Sequence, residues 1–400
     1  MKAGWQTTTL GDACRFIDYR GKTPEKTESG MRLITAKNVK MGFLQMEPLE
    51  FVAPEIYESW MTRGIPQMGD VLFTTEAPLA NVAQLDTSEK VVFAQRIIVL
   101  RPYQSNLDRT FLKYLLLSDV MQQRIHEKGT GATVKGIKAS LLKTIEISFP
   151  PLPEQQRIVG ILDKAFDGIA TAKANAEKNL HNARALFESH LQSVFTQRGE
   201  RWVERPLGTL ATFRNGINYT KESKGERVKV VGVRNFQKHF SAPLDDLDTV
   251  TIDGKLSELD SLKKDDILAV RSNGNIQLIG RCILVGEVTE KISHSGFTIR
   301  IRLSDGIVIP KYICHFMKSA GSRKLLTEGG TGTNIKSLNQ GMLSALMIPF
   351  PPVPVQKSLV EQLESISEKT QRLESIYRQK LAALGELKKS LLHQAFNGDL

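Results

Sequence analysis

The chain has 400 residues, of which 41% are hydrophobic and 24% charged, and its formal net charge is +11 at pH 7. This composition excludes global disorder, and no apolar run approaches the roughly 18–20 residues that a membrane-spanning helix needs. Because the first residues contain no hydrophobic stretch typical of a signal peptide, we expect a cytoplasmic protein without membrane contact. The positive charge favours a polyanionic partner such as nucleic acid, with ordinary solubility charge as the alternative.

The sequence repeats itself. Residues 149–153 (FPPLP) recur as residues 350–354 (FPPVP), and residues 129–131 (GTG) recur as residues 330–332 (GTG). Further matches near the start of each copy are Trp5 with Trp202, Leu10 with Leu207, and Gly11 with Gly208. A rare five-residue motif at the same point of both halves indicates two copies of one unit of about 200 residues.

Each copy opens with a globular part, at residues 1–152 and 199–351. The residue pattern predicts a strand and then a helix in each, at residues 96–100 and 111–124 and at residues 298–302 and 311–326. Glycines and short polar segments separate such elements. We therefore predict two α/β (α+β) domains of mixed topology.

A long helix follows the proline cluster in each copy, over residues 153–198 and 352–400. Proline suits the first turn of a helix because its nitrogen needs no hydrogen-bond partner there. Residues 154–195 contain no proline, and their apolar residues recur at spacings of three and four, as in a coiled-coil seam. Since the first seam is rich in alanine and the second in leucine, we expect the helices to form an antiparallel pair. The alternatives are packing elsewhere or pairing between chains.

Recognisable catalytic and metal-binding motifs are missing from the sequence. Cys14, Cys282 and Cys314 have neither metal-ligand nor redox spacing, and the histidines lack zinc-ligand spacing. Residues 21–23 (GKT) end like a phosphate-binding loop, but Phe16 occupies the position of its first glycine. We therefore expect a binding protein that holds no metal and no cofactor itself.

Candidate DNA contacts lie in loops that follow predicted strands. Arginine and lysine can bind guanine edges and asparagine can bind adenine, while glycine-rich loops carrying a lysine suit phosphate. In the first copy the candidates are Lys22, Thr23, Lys37, Asn38, Thr75, Glu76, Arg96 and Lys135. In the second copy they are Tyr219, Arg234, Asn235, Arg271, Asn273, Asn334 and Lys336. For each residue the alternative is a solvated turn.

Residues 149–159 (FPPLPEQQRIV) lead into the first long helix, residues 350–356 (FPPVPVQ) lead into the second, and residues 391–398 (LLHQAFNG) end it. With these segments the chain resembles, over its whole length, the specificity (S) subunit of type I restriction–modification systems. Residues 69–73 (GDVLF) and 21–24 (GKTP) also resemble segments of that family's recognition domains. Val355 departs from the pattern, since it stands where the first copy has Glu154.

The resemblance implies two target-recognition domains, each reading one half of a gapped double-stranded DNA site, with the helical pair as spacer. It also implies a subunit without catalytic activity. Its partners would be two methyltransferase subunits, which use S-adenosylmethionine, and restriction subunits, which translocate and cleave DNA with ATP and magnesium. Partner contacts are expected at the helix starts, at Glu154, Gln155, Arg157 and Gln356.

Two alternatives belong to other functional classes. The first is a protein-only scaffold made of two α/β modules and a coiled coil, which would lack salt-dependent DNA binding. The second is a free-standing nuclease or methyltransferase whose motifs are not recognisable. An assay of the purified chain with DNA, magnesium and S-adenosylmethionine separates the second alternative from a specificity subunit.

Overall fold

The computed structural model describes residues 4–21, 23–94, 96–131, 133–236, 240–328, 337–397 and 400. The chain divides into two compact units: Met1–Glu177 with Gln379–Leu400, and Lys178–Arg378. Each unit combines one globular domain with one half of each long helix. The predicted boundaries assign each of the two long helices to a region of its own, whereas each compact unit contains part of both.

The strands of the first copy are β1 (Gln6–Thr9), β2 (Cys14–Asp18), β3 (Met31–Ile34), β4 (Glu50–Val52), β5 (Val71–Thr75), β6 (Leu79–Gln84), β7 (Val92–Phe93), β8 (Ile97–Pro102) and β9 (Glu146–Phe149). Its helices are α1 (Leu10–Ala13), α2 (Tyr57–Trp60), α3 (Arg109–Leu117), α4 (Asp119–Lys128), α5 (Ala139–Lys143) and the long α6 (Leu152–Thr196). A short 3-10 helix spans Pro54–Ile56.

The strands of the second copy are β10 (Val203–Pro206), β11 (Ala211–Asn215), β12 (Arg227–Val231), β13 (Asp248–Thr251), β14 (Ile267–Val270), β15 (Cys282–Leu284), β16 (Ile292–His294), β17 (Thr298–Leu303) and β18 (Met347–Phe350). Its helices are α7 (Pro310–Lys318), α8 (Ala320–Glu328), α9 (Gln340–Ala345) and the long α10 (Val353–Asn397). Its 3-10 helices span Leu207–Thr209, Val233–Phe236 and Ile276–Leu278.

The two globular domains have the same sheet topology. In the first, the orders are β2-β8-β5-β6, β4-β3-β7 and β1-β9, and in the second they are β11-β17-β14-β15, β13-β12-β16 and β10-β18. The four-stranded sheets are antiparallel, whereas β3 with β7 and β12 with β16 are parallel pairs. The mixed α/β class and the internal duplication predicted from sequence are therefore confirmed.

The predicted helices over residues 111–124 and 311–326 are each two helices. Ser118 ends α3 with an extended backbone (φ −66°, ψ 146°), and its hydroxyl accepts the Met121 N–H at 3.4 Å to start α4. Ser319 does the same between α7 and α8 through the Ser322 N–H at 3.4 Å. Serine caps a helix by supplying an acceptor for a first-turn N–H, and hydrophobic periodicity alone does not register that interruption.

The long helices pack against each other within each unit. In the first unit, Ile158 and Leu162 of α6 share a buried core with Leu392 of α10. In the second unit, Leu191 from the end of α6 shares a core with Leu363 from the start of α10. The start of one helix thus meets the end of the other in both units, which confirms the antiparallel pair. Within the described ranges, no helix combines the length and apolar character that crossing a membrane requires.

Candidate nucleic-acid interface

The first globular domain has an open groove at the end of β5. Thr75 donates its backbone N–H to the Arg96 carbonyl and accepts the Ile137 N–H, both at 2.9 Å. Arg96 has a φ of 77°, and its Nε lies 3.0 Å from Oε1 of Glu76, which forms a β-bridge with Gly136. The groove encloses about 440 Å³. The structure therefore brings together Thr75, Glu76 and Arg96, three of the predicted residues.

A glycine-rich loop closes one side of this first groove. Thr130 and Gly136 exchange both backbone hydrogen bonds, at 2.8 and 2.9 Å. Gly131 has a φ of 118°, and a Cβ on it would lie 2.2 Å from the Val134 carbonyl oxygen, so a larger residue cannot replace it without moving the loop. Lys135 is exposed on this loop, where a phosphate contact is predicted.

The second domain has an equivalent groove at the end of β14. Arg271 donates its backbone N–H to the Phe297 carbonyl and accepts the Leu338 N–H, both at 2.8 Å. This pattern is the one that Thr75 makes, so Arg271 corresponds to Thr75, and Phe297 corresponds to Arg96. The groove encloses about 460 Å³, and its lining includes Tyr219, Arg234, Ser272 and Asn273.

Two predicted asparagines have structural roles. Asn38 is 1% exposed; its Oδ1 accepts the Thr35 N–H at 3.0 Å, and its Nδ2 donates to the Gln45 and Pro48 carbonyls at 3.1 and 3.0 Å. Asn235, at 3% exposed, accepts a backbone N–H at 2.9 Å and donates to a carbonyl at 3.1 Å in the same way. Because all these groups are buried and bonded, the interface proposed below omits both asparagines.

Two predicted partner-contact glutamines are also internal. Gln155 is fully buried; its Nε2 donates to the Asn106 and Pro150 carbonyls, both at 2.7 Å, and its Oε1 accepts the Asp108 N–H at 2.8 Å. Gln356 makes the corresponding three bonds at 2.8, 2.8 and 3.0 Å. These amides tie the start of each long helix to its globular domain and are not available to a partner, so both are omitted from the docking surface proposed below.

A buried ion pair supports the turn before each groove strand. Asp70, with a fully buried side chain, accepts Nε and Nη2 of Arg101 at 2.9 and 2.6 Å and the Gln67 N–H at 2.8 Å. Asp266 accepts Nε and Nη2 of Arg302 at 2.6 and 2.7 Å and a backbone N–H at 2.7 Å. Since each aspartate precedes its groove strand, the pair fixes where that strand begins.

The other predicted residues differ in their surroundings. Thr23 is exposed, as is Lys37, whose Nζ lies 3.9 Å from a Glu50 carboxylate oxygen. Arg234 is exposed but paired with Asp248 at 2.8 Å and Asp246 at 3.3 Å, and hydrogen bonds to these carboxylates raise its pKa.

The remaining predicted residues are partly enclosed or lie outside the described residues. Tyr219 is 38% exposed in the second groove, and Oδ1 of Asn273 accepts the Asn275 N–H at 2.8 Å. Thr75 is buried, so its contribution is the backbone frame of the first groove. The candidates Lys22, Asn334 and Lys336 lie outside the described residues.

Among the groove residues that were not predicted from the sequence are two cations and one aromatic ring. Arg20 and Lys138 line the first groove, and Arg20 forms an ion pair with Asp18 at 2.6 Å. Phe297 lines the second groove and is 61% exposed. Phe297 could have been predicted from the repeat. Alignment of the glycine-rich loops of the two copies also aligns Phe297 with Arg96, which was predicted.

Comparison with known proteins agrees with this architecture. A family model described as the type I restriction modification DNA specificity domain matches residues 2–180. The StySPI type I restriction enzyme specificity subunit of Salmonella potsdam is 22% identical over 100% of this chain and 90% of its own length. The EcoKI specificity subunit of Escherichia coli K12 is 24% identical over 76% of this chain and 68% of its own length. Residues 2–180 therefore match a type I DNA specificity domain, and the whole chain is similar to a type I restriction enzyme specificity subunit.

Two solved structures share the fold of this chain. A chain from a type I R-M system, described for its complex assembly and conformational transition, has a TM-score of 0.78 at 17% identity and covers 100% of this chain and 99% of its own length. The HsdS subunit from Thermoanaerobacter tengcongensis has a TM-score of 0.62 at 18% identity and covers 100% and 98%. The fold of this chain is thus shared with both solved chains.

One exposed polar cluster lies at the start of α6. Arg157 binds both carboxylate oxygens of Glu154 at 2.8 Å, and this hydrogen-bonded pairing lowers the pKa of Glu154. The Arg157 Nη2 also donates to the Leu400 carbonyl at 2.7 Å. Unlike Gln155, these two side chains are accessible at the surface. In the described part of the chain, His, Cys, Asp and Glu side chains form no group of three placed to hold a metal ion.

Proposed function

We propose that this chain is the DNA specificity subunit of a type I restriction–modification complex, with each globular domain reading one half of a bipartite, gapped site. The observation that carries this proposal is the pair of equivalent grooves. Their backbone frames are alike, since Thr75 and Arg271 make the same hydrogen bonds, but their accessible side chains differ. A constant frame with variable side chains suits two domains that bind DNA alike but select different base pairs.

The proposal includes partners and a division of labour. The chain itself performs no catalysis. Two methyltransferase subunits supply S-adenosylmethionine chemistry, and restriction subunits supply ATP-dependent translocation and magnesium-dependent cleavage. Glu154 and Arg157, exposed at the start of α6, are the proposed contribution of the first long helix to partner docking.

A domain exchange tests the reading function. Residues 4–150 are replaced by the corresponding domain of another specificity subunit, and methylated positions are mapped in cells that contain the chain with its methyltransferase subunit. We expect one half of the modified sequence to change and the other to persist. Exchange of residues 203–350 is the matched control and should change the opposite half. If both halves change in either exchange, or if methylation does not depend on the chain, the proposal is wrong.

An insertion tests the spacer function of the helices. Four residues are inserted into α6 between Glu177 and Lys178 and into α10 between Arg378 and Gln379, where the chain passes from one unit to the other. The insertion adds about 6 Å at ~1.5 Å per residue, and base pairs are ~3.4 Å apart, so the gap should grow by one or two base pairs. An active variant that still modifies the original spacing would contradict this role.

A further inference from the structure

We propose that the two grooves recognise different base-pair chemistry: Arg96, oriented by Glu76, binds guanine in one half-site, and Phe297 contacts a thymine methyl group in the other. This inference rests on the proposed function and specifies what its two grooves select. It makes position 96 and its counterpart 297 the specificity-determining pair of the duplicated fold.

The backbone places these two residues alike. The Arg96 carbonyl accepts the Thr75 N–H at 2.9 Å, and the Phe297 carbonyl accepts the Arg271 N–H at 2.8 Å. Each residue directly precedes the second strand of its central sheet, β8 or β17, and each lines its groove. A side chain at this position therefore reaches the same part of a bound duplex in both domains.

The first groove has the chemistry for a G·C pair. The side chains of Arg96 and Glu76 are 46% and 45% exposed, and Arg96 Nε lies 3.0 Å from Glu76 Oε1. A guanidinium binds the O6 and N7 acceptors of guanine through two N–H groups, and a carboxylate accepts the N4 amino group of cytosine. Because Glu76 also repels phosphate, this ion pair is better suited to base edges than to the DNA backbone.

The second groove has the chemistry for a thymine. Phe297 is 61% exposed, although exposure of a large apolar ring to water is unfavourable. Its position is fixed, because its N–H donates to the Ser295 hydroxyl at 3.3 Å and the Gly296 N–H donates to the Ile217 carbonyl at 2.8 Å. The thymine C5-methyl group is the apolar feature that the major groove presents, and phenylalanine is a residue that contacts it.

DNA duplexes in which one base lacks a single functional group test the proposal on the unaltered protein. The methylated site is first mapped, and the domain exchange assigns each half to its domain. The full chain, in complex with its methyltransferase subunit, is then titrated with duplexes containing 7-deazaguanine or uracil at single positions. We expect one 7-deazaguanine in the half-site of the first domain to weaken binding about tenfold. We expect one uracil in place of thymine in the other half-site to weaken binding about fourfold.

Variants with matched controls connect each effect to its residue. Arg96→Lys keeps the charge but loses the planar fork that donates two N–H groups, so it should reduce the sensitivity to 7-deazaguanine. Phe297→Ser should abolish the sensitivity to uracil. The controls are Arg124→Lys, on the surface of the same unit as Arg96, and Leu259→Ala, which is 63% exposed outside the second groove; both should keep the native sensitivities.

The outcomes separate this inference from the proposed function. If no site is methylated or bound specifically, the proposed function is wrong. If a bipartite site is found but 7-deazaguanine has no effect anywhere in the first domain's half-site, guanine recognition by Arg96 is wrong. If uracil has no effect in the second domain's half-site, the thymine contact is wrong while the specificity function stands.

Discussion

The first and second globular domains share the strand order of all three sheets but present different side chains in their grooves. Asn38 and Asn235, which recur in both copies, are buried and bonded to the backbone. The positions that differ, Arg96 with Phe297, are accessible. In these two pairs, the residue that recurs maintains the frame, and the position that differs presents a side chain that a ligand can contact. This comparison leads to four predictions, in order of decreasing effect.

The largest effect is expected from the buried aspartates. Asp70→Ala or Asp266→Ala would leave the guanidinium of Arg101 or Arg302 without its buried partner, which costs about 3–5 kcal/mol. Each variant should destabilise its own unit, and Asp70→Ala, which also removes a 3.4 Å contact with Arg109, should cost at least as much as Asp266→Ala. Urea unfolding followed by hydrogen-exchange mass spectrometry measures each unit separately. The control Glu154→Ala breaks an exposed pair and should cost at most about 1 kcal/mol. A much smaller loss of stability in Asp70→Ala than in Asp266→Ala would show that the frames are not equivalent.

A second prediction separates residues that stabilise the fold from residues that recognise bases. Asn38→Ala and Asn235→Ala remove side chains that bond several buried backbone groups, so each should reduce the stability of its unit by about 2–3 kcal/mol. Neither change should alter the methylated sequence, since neither side chain reaches the groove surface. Glu76→Gln is the contrasting variant. It should reduce the base selectivity in the half-site of the first domain, with little loss of stability. If Asn38→Ala changed the methylated half-site sequence, Asn38 would have to be counted among the residues that contact bases.

The sequence predicted the large features because they depend on many residues. The duplication, the α/β class and the antiparallel helices follow from repeated motifs and long hydrophobic periodicity, and the structure agrees with all three. The site residues are harder to predict from the sequence because residue type does not reveal whether a side chain is buried. Asn38 follows a strand, as a DNA-reading asparagine would, yet its amide bonds carbonyls seven to ten residues further along the chain. Phe297 was missed because an aromatic residue beside a strand is usually assigned to a core.

Acid should destabilise the second unit more than the first through two buried histidines. Burial, reinforced by Arg300, lowers the pKa of His294 to about 3, and burial, reinforced by Lys318, lowers that of His315 to about 4. At corresponding places the first unit has Phe93, at the end of β7, and Tyr114, also the sixth residue of its helix. Histidine in an unfolded chain takes up a proton near pH 6.5, so unfolding becomes more favourable as pH falls below that value.

Each histidine should cost the second unit about 1–2 kcal/mol between pH 6.5 and 5, and the loss should be absent above pH 7. Unit-resolved urea unfolding at pH 7 and 5 measures it. His315→Phe is the informative variant, because neither ring nitrogen of His315 has a hydrogen-bond partner among the described residues. It should reduce the acid sensitivity, whereas His126→Phe, at an exposed position on α4, should not. Equal acid sensitivity in His315→Phe and the native chain would contradict the assignment.

The smallest effect concerns the backbone of the DNA rather than its bases. Lys135 is exposed on the loop that Thr130 and Gly136 close beside the first groove, so a phosphate is the expected partner. Each phosphate contact releases condensed counterions, so Lys135→Ala should reduce the slope of log K against log salt by about one. The loss of affinity should be equal on specific and random duplexes, unlike that of Arg96→Lys.

Lys135→Arg should keep the slope. Lys128→Ala is the second control, because Lys128 Nζ is already bonded to Thr144 at 2.7 Å. An unchanged slope in Lys135→Ala would show that the loop closes the groove without contacting the DNA backbone. Other cations that line the groove, such as Lys138, would then have to position the DNA for the base contacts of Arg96.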